Sequence, residues 1–325
     1  MRAVSVESPL GPDGLVVVDV PTPAPNSGEV LIRVRAAGIN RADLMQRAGH
    51  YPPPPGVTER LGLEVSGIIE GIGPDVTGWS VGERVCALLD GGGYAEYVVA
   101  PAAQLLPVPP SVNLLDAAAL PEATCTAWSN LVDVGRLAAG DWVLVHGGSG
   151  GVGNVAVQLA AALGAHVLTT AGGAARAERC LELGAEEAID HRREDVLLRV
   201  QEITEGRGVD VVLDVVGAGY LDTNLRALAV GGRLVVIGLL RGRRAEIDLG
   251  LLMARRASVT GTTLRARPAA EKAAIVAAVR THVWPLLDSG RLRPVVHARL
   301  PLSEAGAAHE LLASGEAFGK VLLVP

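Results

Sequence analysis

The chain has 325 residues, of which 49% are hydrophobic and 20% charged, with 40 glycines and 20 prolines against one Phe, four Tyr and four Trp. The length predicts two domains, and the apolar content excludes intrinsic disorder. A net charge of −6, a pI near 5.7 and scarce aromatic platforms argue against nucleic acid as a partner, since phosphate backbones need a clustered positive field.

The first twenty residues lack a positive segment followed by an apolar run, and no stretch offers roughly 18 uninterrupted apolar residues. The expectation is a cytoplasmic protein that does not engage a membrane. Residues 1–120 carry short apolar runs, such as 30–34 and 94–99, between turn signals, which predicts an antiparallel, barrel-like β domain. Cys86 lies there, far from Cys125 and Cys180 and without CxxC spacing, so buried thiols are expected rather than a disulfide framework or a cysteine-rich zinc site.

From 121 to 262 apolar strands alternate with Ala/Leu-rich helical segments, the pattern of βαβ units. Strands are predicted at 141–146, 166–170, 187–190, 209–214, 232–237 and 258–262. Helices are predicted near 151–163, 174–183, 193–204, 219–229 and 247–254, suiting a six-stranded doubly wound sheet. Beyond 262 come a helix near 268–289, a strand-like 294–297, a helix opened by Ser303 and a closing strand at 320–324. About 60 residues are too few for an independent core, so this tail is expected to complete the first domain.

Within 141–160 the strongest motif is G-x-G-x-x-G at Gly148, Gly150 and Gly153, set between a strand and a helix as a dinucleotide fingerprint requires. Gly148 is read as permitting the tight turn, Gly150 as admitting a pyrophosphate to the backbone, and Gly153 as allowing close helix packing. The helix-start N–H groups would then face the phosphates. At the end of the next strand, 165–173, there is no Asp or Glu to accept from a ribose 2′-hydroxyl. Arg176, Arg179, His191 and Arg192 could instead receive a 2′-phosphate, which favours NADPH.

The segments 36–44, 49–56, 61–67, 147–153, 261–265 and 284–287 together resemble the zinc-independent quinone oxidoreductases (zeta-crystallin-like) of the medium-chain dehydrogenase/reductase superfamily, most closely the p53-inducible quinone oxidoreductase-like branch. The resemblance implies an α/β chain. A GroES-like β-barrel catalytic domain would comprise 1–120 and 263–325, and a Rossmann NADPH-binding domain 121–262. Zinc alcohol dehydrogenases of the superfamily place Cys and His where this chain has Asn40 and Leu63, so no metal is expected. The resemblance further implies Asn40, Asp43 and Tyr51 as catalytic-site residues, with Tyr51 or Asn40 bonding the acceptor oxygen. Asn40 and Asp43 are equally readable as turn or capping residues. Implied cofactor contacts are Thr126, Gly148, Ser149, Gly150, Gly151, Val152, Gly153, Gly172, Arg176, His191, Gly217, Ile237, Gly238 and Lys320. Gly173 and His191 depart from the Ser/Thr and Tyr common in relatives.

The function so implied is metal-independent, NADPH-dependent reduction of a quinone or another conjugated carbonyl. Alternatives are a 2-enone, 2-enal or enoyl-thioester reductase, and a non-catalytic NADPH-binding protein. A homodimer is expected through Rossmann edge strands, for which 234–237 and 258–260 are the candidate segments.

Overall fold

A computed structural model describes residues 1–7 and 11–325, which divide into two compact units, Met1–Cys125 with Arg265–Pro325, and Thr126–Leu264. Among the described residues no helix is long and apolar enough to cross a membrane.

In the first unit, Glu29–Gly38 alternates inward Val30, Ile32 and Val34 with outward Leu31 and Arg33, the two-residue period of a half-buried strand. It pairs antiparallel with Glu64–Ile72, Tyr97–Pro101 and Lys320–Val324, and Lys320–Val324 pairs parallel with Val296–Pro301. Arg84–Leu88 and Leu105–Pro107 extend the seven-stranded sheet beyond Glu64–Ile72. Its inner face buries Val30, Ile32, Val65, Ile69, Val85 and Leu323 in one hydrophobic cluster, joined by Tyr94 from the loop before Tyr97–Pro101. The C-terminal strand therefore lies within the sheet built by the N-terminal residues.

The second unit is a six-stranded parallel sheet. Its spatial order is Glu187–Asp190, His166–Ala171, Trp142–Val145, Val209–Asp214, Leu228–Val236, Ser258–Gly261. This is the doubly wound arrangement, with its switch point between Trp142–Val145 and Val209–Asp214. Strand Val209–Asp214 is buried at every position, as an interior parallel strand covered on both faces must be.

Local differences from the sequence reading have physical causes. The helix predicted over 219–229 stops at Ala227, because Leu228 pairs with Val209 and opens the strand early, with a register break before Arg233. The helix predicted over 268–289 is two, Ala269–His282 and Trp284–Asp288. Pro285 has no N–H to donate to the preceding turn, and its ring collides with the carbonyl four residues back. A wider π-type turn, Ser129–Val134, follows helix Pro121–Trp128 without a warning in the pattern. Of the two segments considered for dimer pairing, 234–237 belongs to an interior strand, since Ser258–Gly261 covers it, and only Ser258–Gly261 forms an edge.

Two histidines are sealed inside the units. Burial desolvates the imidazolium and lowers His309 to about 3 and His146 to about 4. The unfolded chain takes up protons below about pH 6.5 while the folded histidines stay neutral, so the stability they contribute is lost as the pH falls toward those values. Asp43 and Asp214, raised by burial to about 6, act oppositely, because the folded chain protonates them first. We predict that His309→Gln gains stability relative to the parent chain by about 1.4 kcal/mol per pH unit as the pH falls from 6 to 4, measured by urea unfolding. A difference independent of pH would show that His309 is charged in the fold.

Candidate functional site

In the first unit the candidate residues gather at the start of helix Arg41–Arg47. Asn40 is its N-cap residue, and its backbone N–H donates to Asp43 Oδ2 at 2.8 Å. Asp43 Oδ1 accepts from the Gly62 N–H at 3.0 Å, and Tyr94 also bonds the carboxyl. Asp43 is wholly buried, so its two oxygens fix the loop rather than meet a ligand. Behind it the hydroxyl of Tyr94 lies 3.1 Å from His309 Nε2, and Arg47 donates to His309 Nδ1 at 3.3 Å. An arginine only donates, so Nδ1 accepts, Nε2 carries the hydrogen, and Tyr94 is free to donate to Asp43.

The carboxamide of Asn40 is oriented by charge. Lys320 Nζ donates to its Oδ1 at 2.6 Å, while its Nδ2 donates to Glu64 Oε1 at 2.9 Å. Lys320 and Glu64 form an ion pair with each other, and both are buried. A flipped amide would set like partial charges against the ammonium and the carboxylate. Glu64 Oε2 also accepts the Glu122 N–H at 2.9 Å. Gly38 makes room for this carboxylate, since a Cβ there would fall on Glu64 Oε1 and Ala118 O. The structure thus places Lys320, expected among the cofactor contacts, in the Asn40 cluster.

Tyr51 is half-buried, and burial first, then Glu122, pushes its phenol above the ordinary value, so the hydroxyl stays protonated at neutral pH. The Arg265 guanidinium lies 5.8 Å from its ring centroid.

In the second unit the expected cofactor residues line the carboxyl ends of the parallel strands, the ligand-binding edge of such sheets. Trp142–Val145 leads into the glycine loop, whose left-handed residue is Gly147 (φ +71°) rather than Gly148. Gly148 is needed for a different reason than the turn, because a Cβ there would strike Thr169 Oγ1. A Cβ on Gly153 would strike Gly147 O, so helix Gly151–Ala162 can seat against the loop only with glycine there. Gly150 is unlike both: within 4 Å its Cβ would meet only Gly147 O, at 3.3 Å, leaving its outer face clear for a ligand. First-turn N–H groups, at Gly151, Val152 and Gly153, have no acceptor inside the helix and suit a diphosphate, beside Ser149.

Under the loop, Thr170 Oγ1 accepts the Gly147 N–H at 3.1 Å and lies 3.2 Å from His146 Nδ1, and His146 Nε2 lies 2.7 Å from Asn224 Oδ1. Gly217 (φ +78°) donates to Asp214 Oδ2 at 3.0 Å, and the Ile237 N–H donates to the Asp214 carbonyl at 2.8 Å. Gly238 approaches Val215 too closely for a side chain. Thr126 is nearly buried, and its carbonyl accepts Asn130 Nδ2 at 2.8 Å.

At the second-strand turn, His191 Nε2 and Arg192 Nε lie 3.3 and 3.2 Å from where a Gly172 Cβ would stand, so both side chains close over that glycine. Arg176 sits in the first turn of helix Ala174–Leu181. Asp190, which sequence reasoning missed, builds this corner. Its Oδ1 accepts the N–H of Gly173 at 2.8 Å and of Arg192 at 3.1 Å, and these bonds, the Gly173 one first, hold its carboxyl below the usual range. An acid directly preceding a basic run was the available signal.

Known proteins match over the whole length. Residues 26–110 match the alcohol dehydrogenase GroES-like domain, and residues 151–279 match the zinc-binding dehydrogenase family. The quinone oxidoreductase of Rattus norvegicus is 34% identical over 327 residues, covering 100% of this chain and 98% of that protein. The chain belongs to the zinc-independent quinone oxidoreductase family of the medium-chain dehydrogenases/reductases. It is an oxidoreductase. The crystal structure of Escherichia coli quinone oxidoreductase complexed with NADPH is similar at TM-score 0.90 and 30% identity, with both chains covered completely. An NAD-dependent alcohol dehydrogenase structure is similar at TM-score 0.88 and 33% identity, also over 100% of both chains.

The zinc in the description of one matched family does not suit the side chains here. Asn40 has its amide committed to Lys320 and Glu64, Leu63 offers no ligand atom, and the ammonium of Lys320 already brings positive charge to Asn40. Among the described residues no three His, Cys, Asp or Glu side chains are grouped to hold a metal ion. A dinucleotide does suit the glycine cradle of this oxidoreductase. We predict that Gly150→Ala leaves thermal melting nearly unchanged yet weakens NADPH binding at least tenfold, followed by nicotinamide fluorescence. Gly153→Ala should lower both, and equal melting losses for the two would disprove the division of labour.

Proposed function

We propose that this oxidoreductase reduces quinones with NADPH as the donor, by a route that needs no metal. The observation that carries the proposal is the locked carboxamide of Asn40. With Oδ1 held by Lys320 and one Nδ2 hydrogen held by Glu64, the other Nδ2 hydrogen makes only a long 3.4 Å bond to the Gly38 carbonyl, which a ligand carbonyl oxygen can displace. Tyr51, kept protonated, supplies a second donor toward the same oxygen. Asp43 is a positioning residue, holding the loop that carries Asn40.

In the dinucleotide unit, Gly148 to Gly153 cradle the diphosphate. Thr126, Gly217, Ile237 and Gly238 border the nicotinamide half, and Gly172, Arg176 and His191 seat the 2′-phosphate, with Arg192 beside them. When bound, the reduced cofactor supplies a hydride from nicotinamide C4. The chain's own contribution is placement and a water-poor setting for the acceptor. Arg192 and His191 over Gly172, with no acid on that strand end, favour NADPH over the NAD named for the alcohol dehydrogenase neighbour.

The test is an assay of cofactor oxidation with an ortho-quinone, a para-quinone and an α,β-unsaturated carbonyl. Turnover of quinones is expected, and turnover of the enone alone would replace this reading with an enoyl-type reductase. Arg176→Ala should raise the KM for NADPH at least tenfold while leaving that for NADH within twofold, since only NADPH has the 2′-phosphate. Equal changes would assign Arg176 to the fold.

The strand Ser258–Gly261 is exposed at all four positions, and the preceding stretch exposes Leu239, Leu240, Leu249 and Met253. A second copy pairing through this edge would cover both the open ladder and the apolar side chains. Light scattering after size exclusion should give a dimer, and Val259→Pro, which removes an N–H facing away from Leu228–Val236 on the open edge, a monomer.

A further inference from the structure

Arg265 holds a charged group in a place where the fold does not complete its bonding. It is 4% exposed. Its Nε donates to the Asp90 carbonyl at 2.6 Å, and its Nη1 donates to Gln46 Oε1 at 2.8 Å. Gln46 is itself fixed, because its Nε2 donates to the Glu59 carbonyl at 2.7 Å and so turns Oε1 toward the guanidinium. Both acceptors are uncharged. The neighbouring Asp90 carboxylate is paired with Lys272, whose ammonium also reaches the Arg265 carbonyl at 3.3 Å. Nη2 is buried and has no hydrogen-bond partner. Other titratable groups facing the guanidinium are Tyr51, Asp43 and Glu122. A cation that served only the fold would be expected to use all its donors or to sit on a carboxylate, because a buried donor left unpaired is destabilising. Two bonds hold this fork rigid, and the third nitrogen is left without a partner. Tyr51, whose ring stands beside the guanidinium, is half-buried and reaches solvent, as do Gln46, Asp90 and Glu122.

We propose that Arg265 is a catalytic residue of the acceptor site, its Nη2 donating to the acceptor oxygen as negative charge develops there. This rests on the reading of the chain as a reductase of conjugated carbonyls. In that reaction the acceptor gains two electrons and one hydrogen from the reduced nicotinamide, which is left oxidised. A para-quinone thereby becomes the hydroquinone monoanion, and one proton from water completes the hydroquinone. A fixed, buried guanidinium stabilises that monoanion without reorganising, the task a Lewis-acidic metal performs elsewhere. Tyr51, a neutral donor, assists from the solvent side.

The probe is 4-nitrophenol, a phenol whose ionisation is read from its phenolate absorbance, titrated with the full-length chain. Bound to the parent chain it should ionise at a pH lower by about one unit than free in water, a tenfold preference for the anion. Arg265→Met should abolish this shift and lower kcat with a para-quinone by about 10²–10³, with KM changed only a few-fold. Equal dye ionisation in the parent and in a variant that melts cooperatively, or a loss confined to KM, overturns the proposal. Should Arg265→Met not fold, Arg265→Gln, which keeps donors but not the charge, is judged by the same readouts. An Arg265-dependent dye shift in a chain that reduces neither quinone nor enone would leave the anion seat standing and remove the reductase reading. Quinone turnover unchanged in the variant would do the reverse.

Discussion

The ion pair between Lys320 and Glu64 is the interaction on which the GroES-like unit depends. Both groups are withdrawn from water, so neither tolerates loss of the other: breaking such a pair typically costs about 3–5 kcal/mol, because one charge is left uncompensated. The pair joins the last strand of the chain to a strand formed near residue 64, on either side of Glu29–Gly38. Asn40 lies on both charges at once. A hydrophobic replacement could hold the strands equally well, but it could not orient an amide. The pair therefore has a value in specificity that its net stability would not justify.

Fixed polarity recurs through the structure. Arg47 can only donate, so it sets the tautomer of His309, which sets the direction of Tyr94, which stabilises Asp43 against its own burial. In the dinucleotide unit Asp190, held ionised by backbone N–H groups, ties the second-strand turn to the third strand and so brings His191 and Arg192 over Gly172. Each network is anchored by a group that cannot reverse its role, an ammonium, a guanidinium or an ionised carboxylate.

The fold class was legible because its signals are local. The parallel strands announced themselves as apolar runs at nearly their observed positions, and the glycine fingerprint lay between a strand and a helix, where its stereochemistry has meaning. Boundaries were less legible where a segment satisfied two patterns, as at Leu228, which fits a helix by composition and a strand by its pairing with Val209. The turn role read for Gly148 falls to Gly147 for a related reason: the motif identifies which positions lack side chains, but only backbone angles and neighbours say whether conformation or clearance is the cause. The capping reading of Asn40 and Asp43 was available from residue type and spacing, since an N-cap and an acid three residues later are a short-range device.

What the sequence by itself determined is therefore what depends on neighbours along the chain: alternation, helix starts, and the glycine fingerprint between a strand and a helix. What only the tertiary structure decided is which distant polar groups meet. Lys320 reaches Asn40 across 280 residues, His309 reaches Tyr94 across 215, and Arg265 reaches Gln46 across 219. A lysine in a closing strand, a histidine in a small-residue helix and an arginine after a threonine pair carry no mark of these partners. Long-range hydrogen bonds are chosen by sheet register and burial, and short-range sequence patterns encode neither.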